Sequence, residues 1–225
     1  MAEVEFCSNY NLPPEIFRRG CGPGFHGRAE LFTRPGFRAI LLRMTYSSRE
    51  LYLHLAHYNR RANAELFDAL GRLTDRARRR ETGSYFGSIH ALLNHIIVAD
   101  MHWLNRFKPV YPESAVLADP LLSPPELSWK QDLRESFDEL RQVRTFVDGR
   151  IVAWFEECPL DRYGDRFLYT DSAGIERNGL AGQGFEFMFV HQIHHRGQVS
   201  QVLDSLGLPN NIADNVAFLE GPSDQ

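Results

Sequence analysis

The sequence predicts an all-α protein, a four-helix bundle, on three observations. Four segments carry apolar residues at steps of three and four, one long proline-rich stretch crosses between the second and third of them, and strand signals are nearly absent. With 225 residues, 43% of them hydrophobic and 24% charged, the chain has an ordinary globular composition and material for one core.

Residues 1–38 hold Gly20, Gly22, Gly24, Gly27 and Gly36 together with Pro13, Pro14, Pro23 and Pro35. Such a density of breakers predicts an irregular or mobile arm, with the bundle spanning 39–225. In the first helix Leu51, Leu55, Tyr58, Ala62, Leu66, Ala69 and Leu73 line one face. The second begins near Ser84, with Ile89, Leu92, Ile96, Ala99 and Trp103 as its stripe. "KPVYPESAVLADPLLSPPE" (108–126) is too rich in proline to be helical and reads as a long crossing loop. Leu133, Leu140, Val143, Val147, Ile151 and Trp154 mark the third helix, entered through Ser128. Residues 165–177 alternate around an Asp-Ser-Ala-Gly turn and suit a small hairpin before the last helix. The fourth helix carries "HQIHHRGQ" (191–198) and ends near Gly207, with Pro209 just beyond.

A net charge of −4 provides no general attraction to nucleic acid or to an anionic membrane. The basic run "RARRR" (76–80) has no interleaved aromatic residue and reads as a solvated helix end. "MAEVEFCSNY" lacks the basic and apolar regions of a secretory signal, and no apolar run approaches the roughly 20 residues of a membrane span. Cys7, Cys21 and Cys158 are odd in number and include no CxxC, which speaks against a disulfide framework and for a reducing cytoplasm.

On a helix, His191 and His195 share a face about 5–6 Å apart at Cβ. Met188, His191, His195, Val199, Val202 and Leu206 form one stripe, so that face turns inward. His194 points about 100° away from His195. Buried imidazoles need partners, because an unpaired polar group costs about 1–3 kcal/mol. Either hydrogen bonds within the core or a metal ion would supply them. A metal site calls for a third ligand. The second helix offers His95 on the flank of its stripe, with His102 on the same face as a rival; His90 lies well off it. A zincin would need glutamate where this chain has Gln192, which cannot act as the base, and no Glu-x-x-His pair exists for a di-iron centre. No GxSxG occurs, and no cysteine sits in a nucleophile motif.

"LAHYNRRAN" (55–63), "LNHIIVADMHWLNRF" (93–107) and "HQIHHRGQVSQVL" (191–203) together resemble the DinB/YfiT-like metalloenzyme family, from about Leu51 to the end of the fourth helix. The resemblance implies a four-helix bundle and a divalent metal ion held by His95, His191 and His195. Zinc, nickel and iron all suit such a site. It also implies a transferase that uses a low-molecular-weight thiol, with a stress-associated metal-binding bundle or a metal-dependent hydrolase as the alternatives. A small-molecule substrate is expected, without nucleic acid or membrane as partner; a homodimer is compatible with the sequence. Tyr58 and Asn59 are candidates to orient an electrophile in a cleft between the first and fourth helices, or to hydrogen-bond between helices. Gly197 is read as a point of close helix approach.

Overall fold

Three of the four long helices begin at a serine that closes its own first turn. In α1 (Ser48–Gly71) the Ser47 hydroxyl accepts the Glu50 N–H at 3.2 Å while the Glu50 carboxylate accepts the Ser47 N–H at 2.7 Å, a capping box. Ser88 caps α2 (Ile89–Phe107) through the Ala91 N–H, and Ser136 caps α3 (Phe137–Glu157) through the Glu139 N–H. Each such cap is worth about 0.5–2 kcal/mol. The last helix, α4 (Ala181–Ser205), has no side-chain cap. Its first N–H groups, on Ala181 and Gly182, donate instead to the carbonyls of Asp165 and Tyr163 at 2.9 and 2.8 Å. It ends in a Schellman motif, with Gly207 at φ +69 and the Leu208 N–H on the Leu203 carbonyl.

The computed structural model describes residues 47–129, 132–159, 162–208, 210 and 212. The expected arm at 1–38 and its boundary lie outside the described residues. Between α1 and α2 stands one helical turn, Asp75–Arg78, and a 3-10 turn, Pro120–Leu122, interrupts the long crossing loop. The antiparallel strands β1 (Arg166–Thr170) and β2 (Glu176–Leu180) pair Phe167 with Gly179 and Tyr169 with Arg177, and β2 runs straight into α4. Among the described residues no helix is long and apolar enough to cross a membrane.

Helix α1 packs on α3 and α4, as does α2, which places α1 opposite α2 across the core. Several sequence expectations shift. Helix α3 starts at Phe137, later than Leu133, which is nonetheless buried. Ser136, whose hydroxyl accepts the Glu139 N–H, caps the helix in place of Ser128. Helix α1 buries Tyr52, Ala56, Asn59, Asn63, Leu66 and Leu70, so its core face is turned by about one residue from the apolar stripe. The cause is polar: Asn59 and Asn63 face inward because they have partners there. Arg78 departs from the solvated basic run. It is buried over the Phe137 ring at 4.0 Å and donates to the Leu70 carbonyl at 3.0 Å, closing the C-terminal end of α1.

Close approach of helices falls at Gly184 rather than Gly197. A Cβ at Gly184 would stand 2.8 Å from the Phe107 ring and 3.2 Å from that of Trp103, whereas one at Gly197 would meet nothing within 4 Å.

Candidate metal centre

His95 on α2 and His191 and His195 on α4 turn their Nε2 atoms toward one point. The His191 Nε2 lies 3.1 Å from that of His95 and 3.0 Å from that of His195. The ligating atoms of all three lie within 4.8 Å of one another. Two of these spacings come close to the roughly 3.3–3.4 Å that separates nitrogens bound at about 2.0–2.1 Å on a tetrahedral ion. The His195 Nδ1 is held at 2.8 Å by the Gln198 amide oxygen, which makes Nδ1 the donor and leaves Nε2 a bare lone pair. Such a lone pair, aimed at a second imidazole nitrogen that also faces a third, suits a shared cation. The donor set fits a divalent ion that accepts imidazole, and these three residues are the ones that would hold it.

The imidazoles are tuned to be neutral. Burial, reinforced by His195, lowers the His95 pKa to about 4; burial, with His195, His95 and His194 adding to it, lowers that of His191 to about 3. Burial also lowers His195, against the opposing pull of its Gln198 hydrogen bond. Neutral imidazole is the metal-binding form.

The rival histidines have other roles. His102 stacks on Trp129 with ring centres 4.3 Å apart, and His90 is buried with its Nε2 3.1 Å from the Arg134 carbonyl. His194 is exposed.

Behind the triad lies a layer of polar groups drawn from all four helices. Arg144 on α3 binds Asp100 of α2 at 2.8 Å and Asp148 of its own helix at 2.8 Å. Gln192, next to His191, donates to Asp100 at 2.6 Å and to the Ile96 carbonyl, next to His95, at 3.3 Å. It therefore ties α4 to α2 one residue away from each opposed ligand. Asn63 donates to Asp148 at 3.0 Å, and Arg196 donates to both Asn59 and Asn63. Burial pushes Asp100 and Asp148 up, partly countered by Arg144; burial works against the Arg144 guanidinium, but Asp148 and Asp100 outweigh it and hold it up. Asn59 and Asn63 are thus spent on interhelical bonds, and neither borders the hollows that His95 lines; Asn63 lines a separate one of about 120 Å³ between α1 and α3. Tyr58 lies with its ring 5.4 Å from the Arg196 guanidinium.

The family profile named DinB family matches residues 44–224. The chain belongs to the DinB family. Protein DinB of Bacillus subtilis (strain 168) is 22% identical over 170 residues, covering 73% of this chain and 91% of that protein. No solved structure matches the chain at a significant level.

In this DinB-family chain the cleft lies between α2 and α4, under the hairpin, and not between the first and fourth helices. It encloses about 380 Å³ and is lined by His95 and His191 at one end and by Trp103, Trp129, Phe187 and Tyr169 along its length. A second hollow of about 260 Å³ is lined by Tyr85, Phe86, Asn94 and Asp132, and both Trp129 and His95 line the two. Sequence reasoning missed Trp129, Gln198 and the Gln192–Asp100 tie. Only Gln198, three residues after His195 and so on the same helix face, left a readable signal.

Proposed function

We propose that the protein binds one divalent metal ion through His95, His191 and His195 and acts as a metal-dependent transferase that uses a low-molecular-weight thiol. The observation that carries this reading is the convergence of three neutral imidazoles without a carboxylate among them, two of which line a cleft open to small molecules. A metal ion there would hold a thiol as its nucleophilic thiolate. The residues supply the rest. The triad offers three nitrogens and leaves room for an exogenous ligand; Gln198 fixes the tautomer and tilt of His195; Trp103, Trp129 and Phe187 offer an apolar wall to the body of a substrate.

Two features favour thiol delivery over hydrolysis. Asp171, the carboxylate that lines the cleft, already accepts from the Ala173 and Ile175 N–H groups and from Arg177, so it is poorly placed to serve as a base. Cys158, the free cysteine among the described residues, is buried, and burial pushes its thiol up to about 12, so it is a poor nucleophile beside a small thiol from solution. The test is conjugation of a small thiol to an electrophile by protein prepared without affinity resin. Rate lost on chelation and returned by metal supports the reading. Full rate after the ion is demonstrably stripped, or conjugation no faster than with free thiol, defeats the transferase and leaves a metal-binding bundle without turnover.

A further inference from the structure

The cleft has a second polar end that the metal reading does not use. His95, Ala99, Trp103 and Arg106 follow one face of α2, and His191, Phe187, Gly184 and Leu180 face them from the α4 side. The groove therefore leads from the imidazoles to a guanidinium whose Cα lies about 16 Å further along the helix. The Arg106 guanidinium stands over two neighbouring rings, 4.7 Å from the centre of Trp103 and 5.0 Å from that of Tyr169, and donates to the Thr170 carbonyl at 3.0 Å. Among the described residues it forms no salt bridge. The acid beside it, Asp171, is held by Arg177 at 2.9 Å. A permanent charge with donors to spare thus lines the cleft beside aromatic rings, and the carboxylate that shares the lining, Asp171, is already paired. Trp129 and Phe187, 39% and 51% exposed, leave large ring surfaces uncovered along the way.

We propose that this cleft binds an organic carboxylate with a flat apolar body, its carboxylate on Arg106 and its body between Trp103, Trp129 and Phe187. The planar guanidinium matches a carboxylate edge to edge, and its half-buried setting strengthens the pairing relative to open water. A volume of about 380 Å³ suits a two-ring molecule. That the far end of the molecule meets a metal ion rests on the function proposed above; the anion subsite does not.

The probes are 2-naphthoate and its uncharged counterpart 2-naphthylmethanol, titrated calorimetrically at neutral pH against the full chain, Arg106→Gln and His191→Ala. The expected result is at least a tenfold preference for naphthoate in the full chain. That preference should shrink to within about twofold in Arg106→Gln, which still binds the alcohol normally and keeps a donor for Thr170, and should persist in His191→Ala. The proposal is overturned by equal binding of the two probes to the full chain, by a preference that survives Arg106→Gln, or by one lost in His191→Ala, which would put the carboxylate on the histidines. Should Arg106→Gln lose both ligands, Arg106→Lys decides: retained charge keeps the preference if the subsite is real, and its loss there sinks it. A chain that holds no metal would defeat the metal reading and leave this comparison intact.

Discussion

His191 occupies the middle of the triad, its Nε2 facing both other rings, so its removal should cost most. His191→Ala is expected to abolish binding of about one divalent ion per chain, while His194→Ala, on the exposed side of the same helix, should keep it. Elemental analysis of the two purified variants checks this, and equal metal in both defeats the assignment. Gln198→Ala leaves three ligands but frees the His195 ring, so metal affinity should fall about tenfold without being lost, read by competition with a chromophoric chelator. The i,i+4 pair was legible in the sequence because helical spacing alone places His191 and His195 on one side. His95 was not separable from His102 on those grounds, since both lie on one face of α2. What separates them is Trp129, which stacks on His102 and comes from a loop whose path no periodicity encodes.

Two glycines of α4, Gly184 and Gly197, make opposite predictions about the same substitution. Gly184→Ala drives a methyl group into the Phe107 and Trp103 rings, both in the core, and should destabilise by about 1–3 kcal/mol. Gly197→Ala has open space around it in a helix interior and should be neutral or stabilise by up to about 1 kcal/mol. Thermal melts of the pair read the difference. Helix existence was legible from the apolar steps, and the end of α4 from Gly207. Starts were less so: apolar Leu133 mimics a helical position while packing from a loop, and the serine that caps α3 is the one with a glutamate three residues on. The turned face of α1 has the same kind of cause, because a stripe of apolar residues cannot announce asparagines that find partners on other helices.

Opposite charges from α2, α3 and α4 meet two asparagines of α1 in one buried layer, and their balance sets how the molecule tolerates change. Arg144→Met keeps the volume but leaves Asp100 and Asp148 without their shared cation, for an expected loss of about 3–5 kcal/mol in urea unfolding. Acid acts through the imidazoles. Burial, with Arg106 adding to it, lowers His102 to about 4, so between there and the ordinary value near 6.5 the unfolded chain binds a proton that the native one refuses. That part of the stability is complete above about pH 6.5 and drains as pH falls toward 4. Burial pushes the Asp148 carboxyl up to about 6, which acts in the opposite sense, so the decisive comparison is with His102→Phe. This variant keeps the carboxylates and the stack on Trp129, and its melting temperature should fall less steeply over that range. The same Trp129 ring also borders both hollows. Because His95 borders them as well, two molecules need not queue at one doorway to reach the same imidazole. A reaction of two substrates here would admit them in either order, with initial-rate lines that intersect rather than run parallel. Trp129→Ala would throw the two rooms into one, and the substrates would begin to inhibit each other as competitors.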